Sequence, residues 1–221
     1  MTMTNNSTIR IRHAYPDDAS FLATSALIAG RAHVRKGIWE VILGGTEEAC
    51  LDFLYHIAVT TVPHLFHYSC YFIAEYAGNG PVGSLGGYDP QQLGYEALQP
   101  AIYEVVTKLN LSVRTIQEAE ERSTKILVCL PKEIEGAWVI DSVATLPEYR
   151  KRGVAEKLLE HVLYEGKERG YDVAQINVYI GNAPALNLYK KMGFEVIEEK
   201  REVYFERTIG APGMLSLARP L

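Results

Sequence analysis

The segment Trp138-Val139-Ile140-Asp141-Ser142-Val143-Ala144-Thr145 reads as a strand and leads through Leu146-Pro147-Glu148-Tyr149 into Arg150-Lys151-Arg152-Gly153-Val154-Ala155. Beyond it Leu158, Leu159, Val162 and Leu163 recur at helical spacing, and Gly170 lies just past the end of that pattern. A strand thus enters a tight, basic, glycine-containing loop that becomes the first turn of a helix. The first four N–H groups of a helix have no partner within it, and the helix dipole adds positive potential there. Gly153 has no Cβ to hold a phosphate off the backbone, and Ala155 is the next-smallest residue at a second close approach. The chemistry is anion binding, of the kind a pyrophosphate needs. Arg150, Lys151 and Arg152 add charge, which solvent and salt screen to a modest contribution. The loop is neither a Gly-Lys-Ser/Thr phosphate loop nor a Gly-x-Gly-x-x-Gly fingerprint, and alone its pattern is loose.

Asp141 stands amid apolar neighbours in its strand. A carboxylate buried there is costly unless paired or used, which makes Asp141 a candidate base. Its ordinary pKa lies roughly 6.5 units below that of an alkylammonium, about 9 kcal/mol uphill for direct transfer. Asp141 must therefore be raised by burial, act through water, or simply orient a cationic amine. A carboxylate satisfied by backbone or Arg is the purely structural alternative.

The elements that position these groups follow from periodicity. Residues 173–180 form a second strand, followed by Gly181-Asn182-Ala183-Pro184-Ala185-Leu186-Asn187-Leu188-Tyr189-Lys190-Lys191-Met192-Gly193-Phe194. Asn182 suits an N-cap, Pro184 the first turn, and Gly193 the position just past a helix end. Two strand–helix units in succession imply parallel neighbouring strands with the first helix packed across them. Upstream, residues 8–14 alternate as a half-buried strand, and Pro16-Asp17-Asp18 opens a helix running to Gly30. Gly44-Gly45-Thr46 precedes a second helix with Leu51, Phe53, Leu54 and Ile57 as its buried stripe. Residues 71–76 and 82–88 pair as a hairpin around Gly78-Asn79-Gly80-Pro81. Residues 93–123 then interrupt, with Leu98, Ile102, Val105, Val106 and Leu109 at helical spacing and a charged second helix over Gln117 to Arg122. Lys125 to Leu130 reads as a short strand or extended run. The interruption is too short for its own core, so the expectation is one domain over residues 1–221 with a helical insertion at about 93–123.

Motif order, spacing and flanking elements over about residues 137–200 resemble the GNAT superfamily of acetyl-CoA-dependent N-acetyltransferases. The likeness rests on Leu146-Pro147-Glu148-Tyr149-Arg150-Lys151-Arg152-Gly153-Val154-Ala155 and on Asn182-x-x-Ala185-x-x-Leu188-Tyr189-x-Lys191-x-Gly193-Phe194. Two departures stand out: the insertion is longer than the usual hairpin there, and Ala155 replaces the commoner glycine. The resemblance implies an α/β fold with a mixed, mostly antiparallel sheet, a parallel strand pair splayed near Ser142, and helices on both faces. It implies that the main chain of Val143, Ala144 and Thr145 pairs with a pantetheine arm, that the amides from Arg150 to Ala155 hold the pyrophosphate, and that Asn182 contacts the cofactor. Tyr189 would protonate the departing thiolate. Its ordinary pKa near 10, above a thiol near 8.5, suits that role, while a Tyr merely packing a helix face is the alternative. Trp39 and Glu40 fall where relatives place substrate-contacting loops, though Trp39 also suits a core.

Composition and charge narrow the rest. In 221 residues, 48% hydrophobic and 22% charged content excludes a disordered or collagen-like chain. A formal charge of −5 offers no global basic field, so no nucleic-acid partner is expected, and it leans only slightly towards a cationic substrate. Cys50, Cys70 and Cys129 show no Cys-x-x-Cys spacing, and His56, His64 and His67 lack acidic or Cys co-ligands, so no disulfide framework or metal is expected. The polar residues 1–7 do not read as a signal peptide, and the apolar run 21–30 is too short to span a bilayer. The expectation is a cytoplasmic acetyltransferase using acetyl-CoA on a small-molecule or peptide amine, with no membrane partner and a homodimer left open. A non-catalytic CoA-binding sensor or interaction module on the same fold is the rival.

Overall fold

A computed structural model describes residues 9–221; Thr8 and the polar residues 1–7 lie outside the described residues. The chain runs β1 (Ile9–His13), α1 (Ala19–Arg31), α2 (Ile38–Leu43), α3 (Glu47–Ala58), β2 (Tyr71–Tyr76) and β3 (Asn79–Tyr88). It continues with α4 (Pro90–Leu93), α5 (Tyr95–Lys108), α6 (Val113–Leu127), β4 (Trp138–Thr145), α7 (Val154–Glu168) and β5 (Val173–Tyr179). The last elements are α8 (Ala183–Lys191), β6 (Glu195–Arg201), α9 (Val203–Ile209) and β7 (Gly213–Pro220). Seven strands form one mixed sheet in the order β1-β2-β3-β4-β5-β7-β6, antiparallel throughout except between β4 and β5.

Strand alternation sends residues to two cores. Val139 faces α1, α3 and α5 with Tyr88 and Ile73, whereas Trp138 and Ile140 face Leu158, Leu159 and Val162 of α7. Helices therefore cover both faces of the sheet. The Thr46 side chain caps α3 by accepting from Ala49 N at 3.2 Å. Asp18, read as a first-turn acid, closes a 3₁₀ turn instead and holds Arg12 through two hydrogen bonds of 2.7 and 2.9 Å.

Three local readings change. The segment between the first two long helices folds as α2, with Gly37 packed so tightly on Gly30 that a Cβ would lie 2.2 Å from the Gly30 carbonyl oxygen. The charged helix at 117–122 is longer, Val113–Leu127, and begins on a Ser112 cap that accepts from Thr115 N at 3.1 Å. Lys125 to Leu130 is therefore the end of α6 and a turn, not a strand. Ile126 and Cys129 are buried there against Phe205 of α9, and a short apolar run cannot by itself distinguish strand from buried helix. The C-terminal residues, beyond the reading above, supply β7, which inserts between β5 and β6. Among the described residues no helix is long and apolar enough to cross a membrane.

Candidate active site

β4 has a partner on both edges only along its first half. Its parallel register with β5 runs Trp138↔Ala174, Val139↔Gln175 and Ile140↔Ile176, then stops. With β3, Ser84 faces Ala144 and Gly86 faces Asp141, so Ser142 and Val143 share the single partner Leu85. Ser142 absorbs this bulge with φ +53. From Asp141 to Thr145 the edge of β4 towards β5 is thus open to an extended ligand. Thr145 Oγ1 nearby is buried without a hydrogen-bond partner.

Beyond β4 the backbone turns through two left-handed residues, Lys151 at φ +60 and Gly153 at φ +82, before α7 begins at Val154. No side chain caps that helix start, so its first N–H groups face outward towards the loop. A Cβ on Gly153 would meet nothing within 4 Å, so the glycine is required here by its backbone conformation. Arg150 Nε reaches back to Thr145 O at 3.3 Å.

Asn182 caps α8 weakly, accepting from Ala185 N at 3.4 Å, and lines the same cleft. Tyr189 on α8 is only 5% exposed, and its hydroxyl makes no hydrogen bond among the described residues. Burial, and then the charge of Asp141, raise its pKa well above the ordinary phenol value. Asp141 is half-buried, and its Oδ1 accepts from Ser142 N at 2.6 Å. Burial raises its pKa despite that bond. Asp141, Ser142, Val143, Ala144, Thr145, Gly153, Val154, Ala155, Asn182 and Tyr189 all border one cavity of about 1560 Å³, with Arg150 and Lys151 at its rim. Arg152 is absent from that lining and lies over the Tyr76 and Tyr149 rings, 5.5 and 5.3 Å from their centroids.

Two side chains escaped sequence reasoning. Asn177 follows the last residue of β5 that pairs with β4, lines the cavity, and carries a buried Oδ1 without a hydrogen-bond partner among the described residues. Its signal was legible: a polar residue between Ile176 and Val178, just like Asp141 in β4. Glu133 lies in the loop before β4, where no periodicity marks it. Tyr88 donates to its Oε1 at 3.1 Å, and burial followed by the charge of Asp141 raises its pKa. The loop is fixed by Gln175, fully buried on β5, which accepts from Ile134 N at 2.7 Å and donates to Lys132 O at 2.7 Å.

Other candidates have structural work. Glu40 pairs with Arg31 through two 2.8 Å hydrogen bonds and accepts from Gly37 N at 2.9 Å. Trp39 both packs edge-on against Phe66 and lines the cavity. His64 is wholly buried and held by Ile57 O and Thr60 Oγ1. Among the described residues no three His, Cys, Asp or Glu side chains converge on a metal position. Cys50, Cys70 and Cys129 are buried and unpaired, and none lines the cavity.

Comparisons with known proteins agree with one another. The sequence model of the Acetyltransferase (GNAT) family matches residues 46–194. An N-alpha-acetyltransferase 50 of Danio rerio is 38% identical over 66 residues, 29% of this chain and 39% of that protein. A [Ribosomal protein bS18]-alanine N-acetyltransferase of Escherichia coli K12 is 31% identical over 80 residues, 36% of this chain and 53% of that protein. The matched segments thus span about half or less of those relatives. A solved N-acetyltransferase from Staphylococcus aureus Mu50 superposes with a TM-score of 0.67 at 22% identity, covering 95% of this chain and all of its own, which establishes the fold alone.

Proposed function

The chain belongs to the GNAT family of acetyltransferases and is an acyltransferase; from that premise we propose that it transfers acetyl from acetyl-CoA to a primary amine by direct attack in a ternary complex. The observation that supports this most is the end of β4–β5 pairing at Ile140 and Ile176, which opens a backbone edge between an uncapped helix start and the Asp141–Tyr189 pair. Each part suits a part of the donor. The open edge of Val143–Thr145 matches the amides of a pantetheine arm, and the left-handed loop at the start of α7 matches a pyrophosphate. The unpartnered Thr145 hydroxyl and Asn177 carbonyl are polar groups awaiting a partner. The bound thioester supplies an activated acyl carbon.

Asp141 orients the amine and takes up, directly or through water, the proton that it releases. Its raised pKa narrows the gap to an ammonium. The amine nitrogen then bonds to the acyl carbon while the C–S bond breaks and its electron pair leaves with sulfur, and the second proton that nitrogen loses passes to that sulfur, directly or through water. A backbone N–H near Val143 polarises the carbonyl oxygen. Tyr189 is protonated at neutral pH and has no competing partner, so its hydroxyl is free to donate to the developing thiolate. Its raised pKa makes full proton transfer uphill, so its contribution is foremost a hydrogen bond that strengthens as charge collects on sulfur.

The three thiols stand outside the cavity, and burial pushes Cys50 and Cys70 up to about 11. No acetyl-enzyme is therefore expected. Mass spectrometry of protein incubated with acetyl-CoA alone tests this: an unchanged mass and intersecting initial-rate lines are expected, and an added acetyl group with parallel lines would overturn direct attack.

A further inference from the structure

The cavity has a lining that extends well beyond the donor groups. Its volume of about 1560 Å³ exceeds the roughly 300–1,000 Å³ of a pocket for one small ligand. Part of the lining comes from α2, α3, α5 and α6, and it differs in character from the pyrophosphate end. Trp39 of α2, Phe53 of α3, Phe66, and Leu98, Ile102 and Val106 of α5 belong to it. Trp39, Ile102 and Val106 are only half-buried, and the cavity is a space that they border. Polar side chains, Glu120 among them, come from α6.

At the junction of this chamber with β4 stand two carboxyls and two phenols. Asp141 and Glu133 interact, and their charges act on Tyr88 and Tyr95, which also line the cavity. Glu133 is a built feature: Tyr88 donates to it, and Gln175 clamps the backbone on either side. Tyr189, nine-tenths buried and with no hydrogen bond to its hydroxyl among the described residues, borders the same cavity. The β4 end of the acceptor space is thus anionic and aromatic, whereas α5 gives it an apolar wall.

Resting on the acetyltransferase reading above, we propose that the acceptor is an amphipathic monoamine: an ammonium held between Asp141 and Glu133, carried on an apolar body that fills the chamber under α5. The insertion supplies the selectivity because α5 contributes three of those walls. A polyamine would bury a second ammonium against Ile102 and Val106, since the α6 carboxyls that line the same cavity, Glu118 and Glu120, are solvent-exposed and Glu118 is already paired with Arg114; a polar peptide N-terminus would likewise leave that surface unmatched.

The test uses the full chain with hexylamine, 2-phenylethylamine, ethylamine, spermidine and a Ser-led tripeptide. Calorimetric titration of each amine into the protein–CoA complex runs beside thiol release from acetyl-CoA. Hexylamine and 2-phenylethylamine are expected to bind, and to exceed ethylamine in kcat/KM, by at least about tenfold, given the apolar area buried. Glu133→Gln raises the KM of both without changing that of acetyl-CoA. Ile102→Asn, with the near-isosteric Val106→Thr as a second variant, collapses the hexylamine-to-ethylamine ratio. Equal or better use of ethylamine, spermidine or the peptide would overturn the proposal while leaving the acetyltransferase reading intact. Binding of hexylamine to the CoA complex without thiol release would leave this inference standing and overturn the other. Failure of both apolar amines to bind overturns this one.

Discussion

Gln175 fixes Glu133 without touching it. From β5 its side-chain amide spans the loop, accepting from Ile134 N and donating to Lys132 O, so the residue between them meets Tyr88 from a pinned backbone. It also donates to Ser216 Oγ at 2.9 Å, which ties the loop to β7. Replacement by Leu strands a buried N–H, a carbonyl and a hydroxyl. With about 1–3 kcal/mol per unsatisfied group, partly relieved by water, Gln175→Leu should destabilise by about 2–4 kcal/mol in urea unfolding. As a positioning residue it should also raise the KM for amine while leaving that for acetyl-CoA unmoved. A loss confined to stability would assign it to the core alone.

Tyr189→Phe separates chemistry from packing. The hydroxyl has no partner to lose, so stability should hold or rise slightly. Turnover should fall by about 10²-fold or more, with acetyl-CoA affinity nearly unchanged. Steady-state kinetics beside a thermal melt reads both, and unchanged kcat would remove Tyr189 from the reaction.

The raised pKa of Asp141 fixes the sign of two pH effects. Its carboxylate form, the one that can accept a proton, is lost as pH falls through the raised value, so kcat/KM should drop on the acid side earlier than an ordinary carboxylate would allow. The fold, by contrast, holds the proton more tightly than the unfolded chain. Asp141 therefore adds stability below its ordinary value near 4, and loses it as pH rises through the raised one. Asp141→Asn should remove its share of both, leaving in the stability profile the part that belongs to other shifted carboxyls such as Glu133. Urea midpoints and rates across the acid range measure them on the same samples.

Gly153→Ala tests the loop. No atom obstructs the new methyl, so the cost is that of forcing φ +82 on a residue with a Cβ, about 1–2 kcal/mol. Relief by backbone rotation would tilt the first N–H groups of α7 away from the ligand. Acetyl-CoA should bind several-fold more weakly while desulfo-analogues lacking only the thioester sulfur lose affinity in parallel. Equal affinity in mutant and wild type would show that the loop conformation is not needed for binding.

What the sequence made legible was whatever local chemistry encodes. The strand–loop–helix at 138–168 follows from Gly153 and the Leu158–Leu163 stripe, and the second unit from Asn182 and Gly193. The end of the parallel pairing just before Ser142 could be anticipated only through family resemblance, because no residue type announces a splay. The bulge beside it faces Leu85, 57 positions upstream of Ser142 in the numbering. Glu133 was invisible for the same reason. Its importance comes from Tyr88 and Gln175, both distant in sequence. The apolar run at 125–130 misled because burial against α9 looks the same as burial in a sheet.

The central claim is that this cleft performs acyl transfer and does not merely hold CoA. It is tested most directly by incubating the full chain with acetyl-CoA and hexylamine or 2-phenylethylamine, and by following free thiol and the amine product together by mass spectrometry. The account predicts stoichiometric thiol and N-acetylated amine, abolished or strongly reduced in Tyr189→Phe and Asp141→Asn. Binding of both acetyl-CoA and the amine with no acetylated amine formed, and no difference between wild type and those variants, would contradict it.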